Sequence, residues 1–97
     1  MKLVRNRIPE LYPQHDYHQA GSGSAELVLL LRLKLAEEVG EVLSAPTRDA
    51  LIAELADLDE VLIALRRAEG ISLSELTLAR AEKGADRGTF SEGWVLE

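Results

Sequence analysis

Residues 24–69 read SAELVLLLRLKLAEEVGEVLSAPTRDALIAELADLDEVLIALRRAE, and this stretch decides the fold. Apolar residues recur in it every three to four positions, which is typical of helices that bury one face. Ser24 is expected to cap a first helix that runs to about Leu43. Pro46 breaks that helix, and Thr47 caps a second one. Because the connection is short, the two helices should be antiparallel neighbours.

A third helix is predicted after a glycine stop. The second helix should end near Glu69, since Gly70 favours the left-handed conformation that often follows a helix. Ser72 and Glu75 have the three-residue spacing of a capping box, which predicts the start of the third helix. That helix is expected to end near residues 83–84, where a lysine precedes a glycine.

The two ends of the chain lack a helical period. Residues 1–23 contain two prolines and two glycines, so we interpret them as an irregular arm with a short extended piece near Leu3 and Val4. Residues 85–97 are interpreted as an extended or looped tail. No linker or internal repeat divides the sequence, so residues 1–97 are interpreted as a single domain.

The composition favours a small all-α protein and excludes several classes of function. The 97 residues are 46% hydrophobic but only 4% aromatic, which favours packed helices over a β-sandwich. A net charge of −6 repels a nucleic-acid backbone, so no nucleic-acid partner is expected. The longest apolar run, Leu27–Leu31, is too short to span a membrane, and the charged start is unlike a secretory signal. We therefore expect a cytoplasmic protein without a membrane partner.

Carboxylates lie on helix faces that should be buried. One face of the first helix follows a four-three-four spacing through Leu31, Leu35, Glu38 and Val42. Glu41 projects from the same side as Glu38, and Glu37 lies beside them. On the second helix, one stripe is formed by Leu51, Leu55, Leu58, Leu62 and Leu65, and the adjacent stripe by Glu54, Asp57, Val61 and Ala64. Antiparallel packing would bring the two carboxylate pairs face to face.

Four carboxylates gathered in a partly dry space repel one another unless a cation compensates them. With no cysteine in the chain, oxygen ligands and two histidines remain, and oxygen ligands suit Mg²⁺ or Mn²⁺. The opposing interpretation is a solvated helix face with partners along the helix, such as Lys34 with Glu38. On spacing alone the two interpretations are equally supported.

The acidic pattern also resembles a known signature. The segment EEVGE at residues 37–41, followed by ELAD at residues 54–57, is similar to the EExxE and ExxD motifs of the all-α nucleoside triphosphate pyrophosphohydrolases. That superfamily includes MazG-like enzymes, all-α dUTPases and phosphoribosyl-ATP pyrophosphohydrolases. The opening KLVRNRIPE, residues 2–10, resembles the KLVRDKIPE opening of a small MazG-like branch, with Asn6 and Arg7 as departures. Lys83 and the RGTF segment that begins at residue 87 are similar to the K…RGxF ending of that branch.

The resemblance implies a reaction and a set of residues. It implies Mg²⁺-dependent hydrolysis of a nucleotide between its α and β phosphates, with Mn²⁺ as an alternative metal. The implied metal ligands are Glu38, Glu41, Glu54 and Asp57. Catalytic roles fall to Glu38 and to Glu37, the latter as a further ligand or as the group that orients the attacking water. The implied phosphate contacts are Lys34, Lys83 and Arg87.

We expect an antiparallel bundle of about three helices per protomer that completes a four-helix-type core as a homodimer or dimer of dimers. Three helices alone would leave too much apolar surface exposed. Two alternatives for the function stay open. One is the phosphoribosyl-ATP step of histidine biosynthesis, which differs in substrate but not in chemistry. The other is a non-catalytic helical dimerisation or regulatory module. No motif in the sequence selects a nucleobase.

The basic residues of the arm have two interpretations of equal weight. Lys2, Arg5 and Arg7 either bind phosphate or pair with acidic helix surfaces. His15 and His18 lie in a segment without helical support and are expected to be loop residues.

Overall fold

The computed structural model describes all 97 residues and contains four helices and no strand. The helices are α1 (Ile8–Leu11), α2 (Ala25–Ser44), α3 (Arg48–Ala68) and α4 (Leu73–Arg87). The all-α prediction is confirmed, and the three long helices are those expected from the sequence. The fourth, α1, is a single turn within the arm that the sequence analysis did not predict.

The long helices begin at the predicted capping residues. Ser24, Thr47 and Ser72 each accept a hydrogen bond, through the side-chain oxygen, from the backbone N–H three residues later at 3.1 Å. Each bond satisfies one of the amide groups that the first turn of a helix leaves without a partner. At the other end of α3, Gly70 adopts φ +69°, the left-handed conformation that the sequence analysis assigned to it.

Two boundaries differ from the sequence-based expectation. Helix α4 continues to Arg87, past the end expected at residues 83–84, because Gly84 stays helical and Gly88, with φ +81°, ends the helix instead. The tail therefore begins at Gly88. In the arm, no strand forms at Leu3 and Val4, and Pro9 is the second residue of the turn α1, where the absence of its N–H costs no hydrogen bond.

Helices α2 and α3 form an antiparallel hairpin and are the only two helices that pack extensively. Arg32 near the start of α2 lies 3.8 Å from Glu69 at the end of α3. Only three of the 97 residues are buried, namely Leu31, Glu38 and Val61, and all three lie in this hairpin. The core of the single chain is therefore the interface between α2 and α3.

The stripe of α3 that faces α2 is the half-acidic one. Val61 is buried, and Glu54, Asp57 and Ala64 are half-buried. Three leucines of the neighbouring stripe are exposed instead: Leu51, Leu55 and Leu62. The hairpin therefore turns carboxylates inward and leaves leucines on the outside.

Helix α4 lies apart from the hairpin. None of its residues is buried, and its leucines at positions 73, 76 and 78 are exposed. The radius of gyration is 16.6 Å, whereas a compact domain of this length has roughly 13 Å. The predicted bundle is thus not closed within one chain. No helix is both long enough and apolar enough to cross a bilayer.

Candidate metal centre

Three carboxylates meet between α2 and α3. Glu38 of α2 and Glu54 and Asp57 of α3 each offer one ligand oxygen, and the three oxygens lie within 4.8 Å of one another. We call these three residues the carboxylate cluster. Glu38 is buried, and the other two are half-buried.

The hairpin register produces this meeting. Glu38 lies two helical turns after Leu31 and shares its face, so it points into the interface. Asp57 lies one turn before Val61 and Glu54 one further turn before it, on the stripe that faces α2. Core packing at Leu31 and Val61 therefore fixes the level at which the carboxylates face one another.

Glu38 has an unusual environment for a glutamate. The residue is only 7% exposed, and one carboxylate oxygen, Oε1, lies 3.7 Å from Nζ of Lys34. The other oxygen, Oε2, is buried and has no hydrogen-bond partner. A buried acceptor without a partner is costly and rare in folded proteins. A cation among the three carboxylates would satisfy this oxygen.

The charges of neighbouring acids act on Glu54. Burial raises the pKa of Glu54 above its ordinary value of 4.5, the charges of Glu41, Asp57 and Glu38 raise it further, and a hydrogen bond that protonated Glu54 can donate to Glu38 acts in the same direction. Glu41 is exposed and is not one of the three residues whose oxygens meet, although its charge reaches Glu54. The structure therefore brings together three of the four predicted ligands and leaves Glu41 beside them.

Glu37 is exposed and is not a member of the carboxylate cluster. Its carboxylate lies 3.3 Å from Nζ of Lys2 and 3.4 Å from Nζ of Lys34. Burial alone would raise the pKa of Glu37, but these two ammonium groups outweigh it and hold the pKa below 4.5. Lys2, Lys34 and Glu37 line a groove of about 200 Å³ between the start of the arm and α2.

Arg5 of the arm contacts the carboxylate cluster directly. One guanidinium nitrogen of Arg5 donates a hydrogen bond to Oδ1 of Asp57 at 2.6 Å. Two of the three basic residues of the arm, Lys2 and Arg5, thus pair with acidic helix surfaces, while Arg7 pairs with Glu10 inside the arm at 3.4 Å. The sequence pattern did not predict a contact between Arg5 and these carboxylates. The signal available was a basic cluster in an acidic protein, without any indication of which carboxylate it meets.

The predicted phosphate contacts are divided between two places. Lys34 lies next to the carboxylate cluster through its 3.7 Å approach to Glu38. Lys83 and Arg87 lie on α4, and the acidic partner of Arg87 is its neighbour Asp86 at 3.7 Å. The single chain does not pair either residue of α4 with the carboxylate cluster.

The histidines and tyrosines of the arm make local contacts. Nε2 of His18 lies 2.6 Å from a carboxylate oxygen of Glu26, and the hydroxyl of Tyr17 donates to the carbonyl of Tyr12 at 2.7 Å. As expected for loop residues, neither histidine belongs to the carboxylate cluster.

Oxygen ligands in this arrangement suit a hard divalent cation such as Mg²⁺ or Mn²⁺. The buried, unpartnered oxygen of Glu38 and the mutual repulsion felt by Glu54 both fit a bound cation. Comparisons with protein-family models, with curated proteins and with solved structures found no match to this chain.

Proposed function

We propose that this protein is a Mg²⁺-dependent nucleotide pyrophosphohydrolase that cleaves the α–β phosphoanhydride and yields a nucleoside monophosphate and pyrophosphate. A house-cleaning role that removes unwanted nucleotides fits this activity. The observation that carries the proposal is the buried oxygen of Glu38, which has no partner and lies within the carboxylate cluster. The EExxE and ExxD resemblance supplies the reaction.

The ligand set consists of Glu38, Glu54 and Asp57, with Glu41 as the fourth member. Glu41 lies one turn after Glu38 on the same side of α2, so rotation of its exposed side chain can carry the carboxylate inward. Bound Mg²⁺ would polarise the phosphoanhydride and make a bound water a better nucleophile. Mn²⁺ has the same ligand preference and is the alternative metal.

Lys34 and Glu37 have supporting roles in the proposed site. Lys34 approaches both Glu37 and Glu38, so its charge compensates both carboxylates. Glu37 keeps its proposed role in orienting the attacking water, which requires it to leave its lysine partners when substrate binds. A Glu37→Gln variant that binds metal normally but turns over slowly would support this role.

A homodimer completes the proposed enzyme. The exposed leucines of α3 and α4 form apolar surface that a second copy of the chain can cover, giving a four-helix-type core. In such a dimer, or a dimer of dimers, α4 of one protomer can bring Lys83 and Arg87 to the phosphates at the carboxylate cluster of the other.

Two other functions are distinguished by the same assay. Phosphoribosyl-ATP as the preferred nucleotide would identify the histidine-biosynthesis step. The exposed leucines also favour a non-catalytic dimerisation module, in which the acidic residues would bind no divalent ion. That alternative predicts no thermal shift with Mg²⁺ or Mn²⁺ and no pyrophosphate release.

The test is pyrophosphate release from a panel of common and modified nucleoside triphosphates and phosphoribosyl-ATP, together with thermal shift in Mg²⁺ and Mn²⁺. We expect Glu38→Gln and Asp57→Asn to lower kcat/KM by about 100-fold or more, because loss of even an outer-shell partner typically costs 10–100-fold. Glu60→Gln is the matched control for Glu38→Gln, since Glu60 is exposed on α3 away from the leucine stripe and is not part of the carboxylate cluster. Equal activity of the Glu38 and Glu60 variants would refute the assigned site.

A further inference from the structure

The arm places one cation on a proposed metal ligand. The guanidinium of Arg5 lies 2.6 Å from Oδ1 of Asp57, although 52 positions separate the two residues in the sequence. Arg7, two residues further along the same arm, pairs only with Glu10 of α1. The contact of Arg5 is therefore specific to one arginine of the arm.

We propose that Arg5 and a divalent cation compete for Asp57, and that the displaced guanidinium then binds the phosphate groups of the substrate. The exchange makes Arg5 a substrate-binding residue that the metal releases. The exchange rests on the metal site of the proposed function. It adds to that site Arg5, which belongs neither to the acidic motifs nor to α4.

Charge balance explains the first half of the exchange. Arg5 is the cation paired with Asp57, while Lys34 approaches Glu38. The pair of Arg5 and Asp57 is open to water, with 60% and 43% of the two side chains exposed, so it contributes little free energy. A divalent ion held by several carboxylates gains more, and it draws on the same Asp57 carboxylate, which offers one oxygen to the carboxylate cluster.

The second half follows from how the arm is held. Lys2 pairs with Glu37 of α2 at 3.3 Å, and Glu37 is not a member of the carboxylate cluster. This contact can persist when Arg5 leaves Asp57, so the arm stays attached and Arg5 stays within reach of the site. A guanidinium offers a planar fork of donors that matches phosphate oxygens.

Two binding measurements on the full chain test the exchange, because Arg5→Gln should raise the affinity for one ligand and lower the affinity for the other. Mn²⁺ affinity is measured by calorimetry, and pyrophosphate affinity is measured in saturating Mg²⁺, for wild type, Arg5→Gln and Arg7→Gln. We expect Arg5→Gln to bind Mn²⁺ about two- to fivefold more tightly, as loss of an exposed competing ion pair allows. The same variant should bind pyrophosphate about tenfold or more weakly, because it loses a charge-assisted hydrogen bond.

Arg7→Gln is the matched control, since it removes the same charge from the same arm and should leave both affinities unchanged. A second readout uses the wild-type protein. On titration with Mg²⁺, the side-chain Nε–H resonance of Arg5 should shift as its contact with Asp57 is lost, and that of Arg7 should not.

The possible results separate the exchange, the metal site and the enzymatic function from one another. If Arg5→Gln leaves either affinity unchanged, or if Arg7→Gln behaves like it, the exchange is refuted while the metal site stands. If neither wild type nor Arg5→Gln binds Mn²⁺, both the exchange and the metal site are refuted. If both affinities change as expected but no nucleotide releases pyrophosphate, the exchange stands and the proposed enzymatic function is refuted.

Discussion

The α2–α3 hairpin and helix α4 differ in how much they bury, although both begin with the same kind of local signal. Ser24, Thr47 and Ser72 cap their helices with bonds of equal length. Yet all three buried residues lie in the hairpin, and α4 contributes none. Local signals are therefore enough to start a helix, whereas burial depends on whether another surface of the chain comes to meet it.

Removal of a buried side chain from the hairpin should change the free energy of unfolding far more than removal of an exposed one from α4. Leu31→Ala removes the most deeply buried leucine and should lower the free energy of unfolding by roughly 2–4 kcal/mol. Leu78→Ala on α4 should cost about 0.5 kcal/mol or less in dilute protein, because Leu78 is exposed. Urea denaturation of both variants measures the difference.

Equal costs for the two variants at every protein concentration would show that α4 packs within its own chain. A cost for Leu78→Ala that appears only at high concentration would instead indicate coverage by a second copy.

A change to the exposed leucine stripe of α3 tests whether a second copy covers it. Leu55→Glu combined with Leu62→Glu places two charges on that surface and should weaken self-association at least about tenfold, because unpaired charges are costly to bury. Light scattering coupled to size exclusion measures the mass across a dilution series. Arg67→Glu on another side of α3 is the control and should leave the mass unchanged. A dimer that survives both leucine substitutions would have its interface elsewhere.

The glycines inside α2 and α4 give a smaller and more local test. A Cβ atom built at Gly40 or at Gly84 meets nothing within 4 Å. Gly40→Ala and Gly84→Ala should therefore each raise the free energy of unfolding by about 0.5–1 kcal/mol through reduced backbone entropy. Thermal and urea unfolding measure the gain. Destabilisation by Gly40→Ala alone would mean that another helix approaches α2 closely there in the assembled protein.

The smallest expected effect is a pH dependence of the metal-free hairpin. The pKa of Glu54 is raised by burial and by the charges of Glu41, Asp57 and Glu38. The folded state therefore holds this proton more tightly than the unfolded state. Its contribution to stability is fully present below pH 4.5 and is lost as the pH rises through the raised pKa.

Urea unfolding in a chelator between pH 4 and 7 compares wild type with Glu54→Gln. The free energy of unfolding of Glu54→Gln should not show the part of the decline with rising pH that comes from Glu54. Glu37, whose pKa is lowered, contributes in the opposite direction, since its stabilisation is present above pH 4.5 and is lost as the pH falls through the lowered pKa. Parallel pH profiles for wild type and Glu54→Gln would contradict the charge crowding at the carboxylate cluster.

The sequence by itself determined where the three long helices begin. Capping hydroxyls, the break at Pro46 and the stop at Gly70 act over about one helical turn, so they were readable without any partner surface. The end of α4 was misjudged because a glycine stops a helix only where it adopts a positive φ. Gly88 does so and Gly84 does not, and the residue type is the same.

The sequence also predicted four acidic residues on inward faces, and the structure brings three of them together. Spacing along one helix could not separate Glu38 from Glu37 and Glu41, because each lies within a turn of the others. The register of the hairpin selects Glu38 among these three glutamates, because it places Glu38 opposite Glu54 and Asp57.

Only the tertiary structure decided that leucines of the neighbouring α3 stripe stay exposed in the single chain and where the arm docks. A stripe of leucines and a stripe that is half acidic lay side by side in the sequence, and the leucine stripe had the stronger apolar pattern. The contact of Arg5 with Asp57 joins residues 52 positions apart, beyond the reach of any local rule. Capping and periodicity depend on neighbours within four residues, whereas these pairings depend on how whole surfaces pack, and packing is a property of the folded chain.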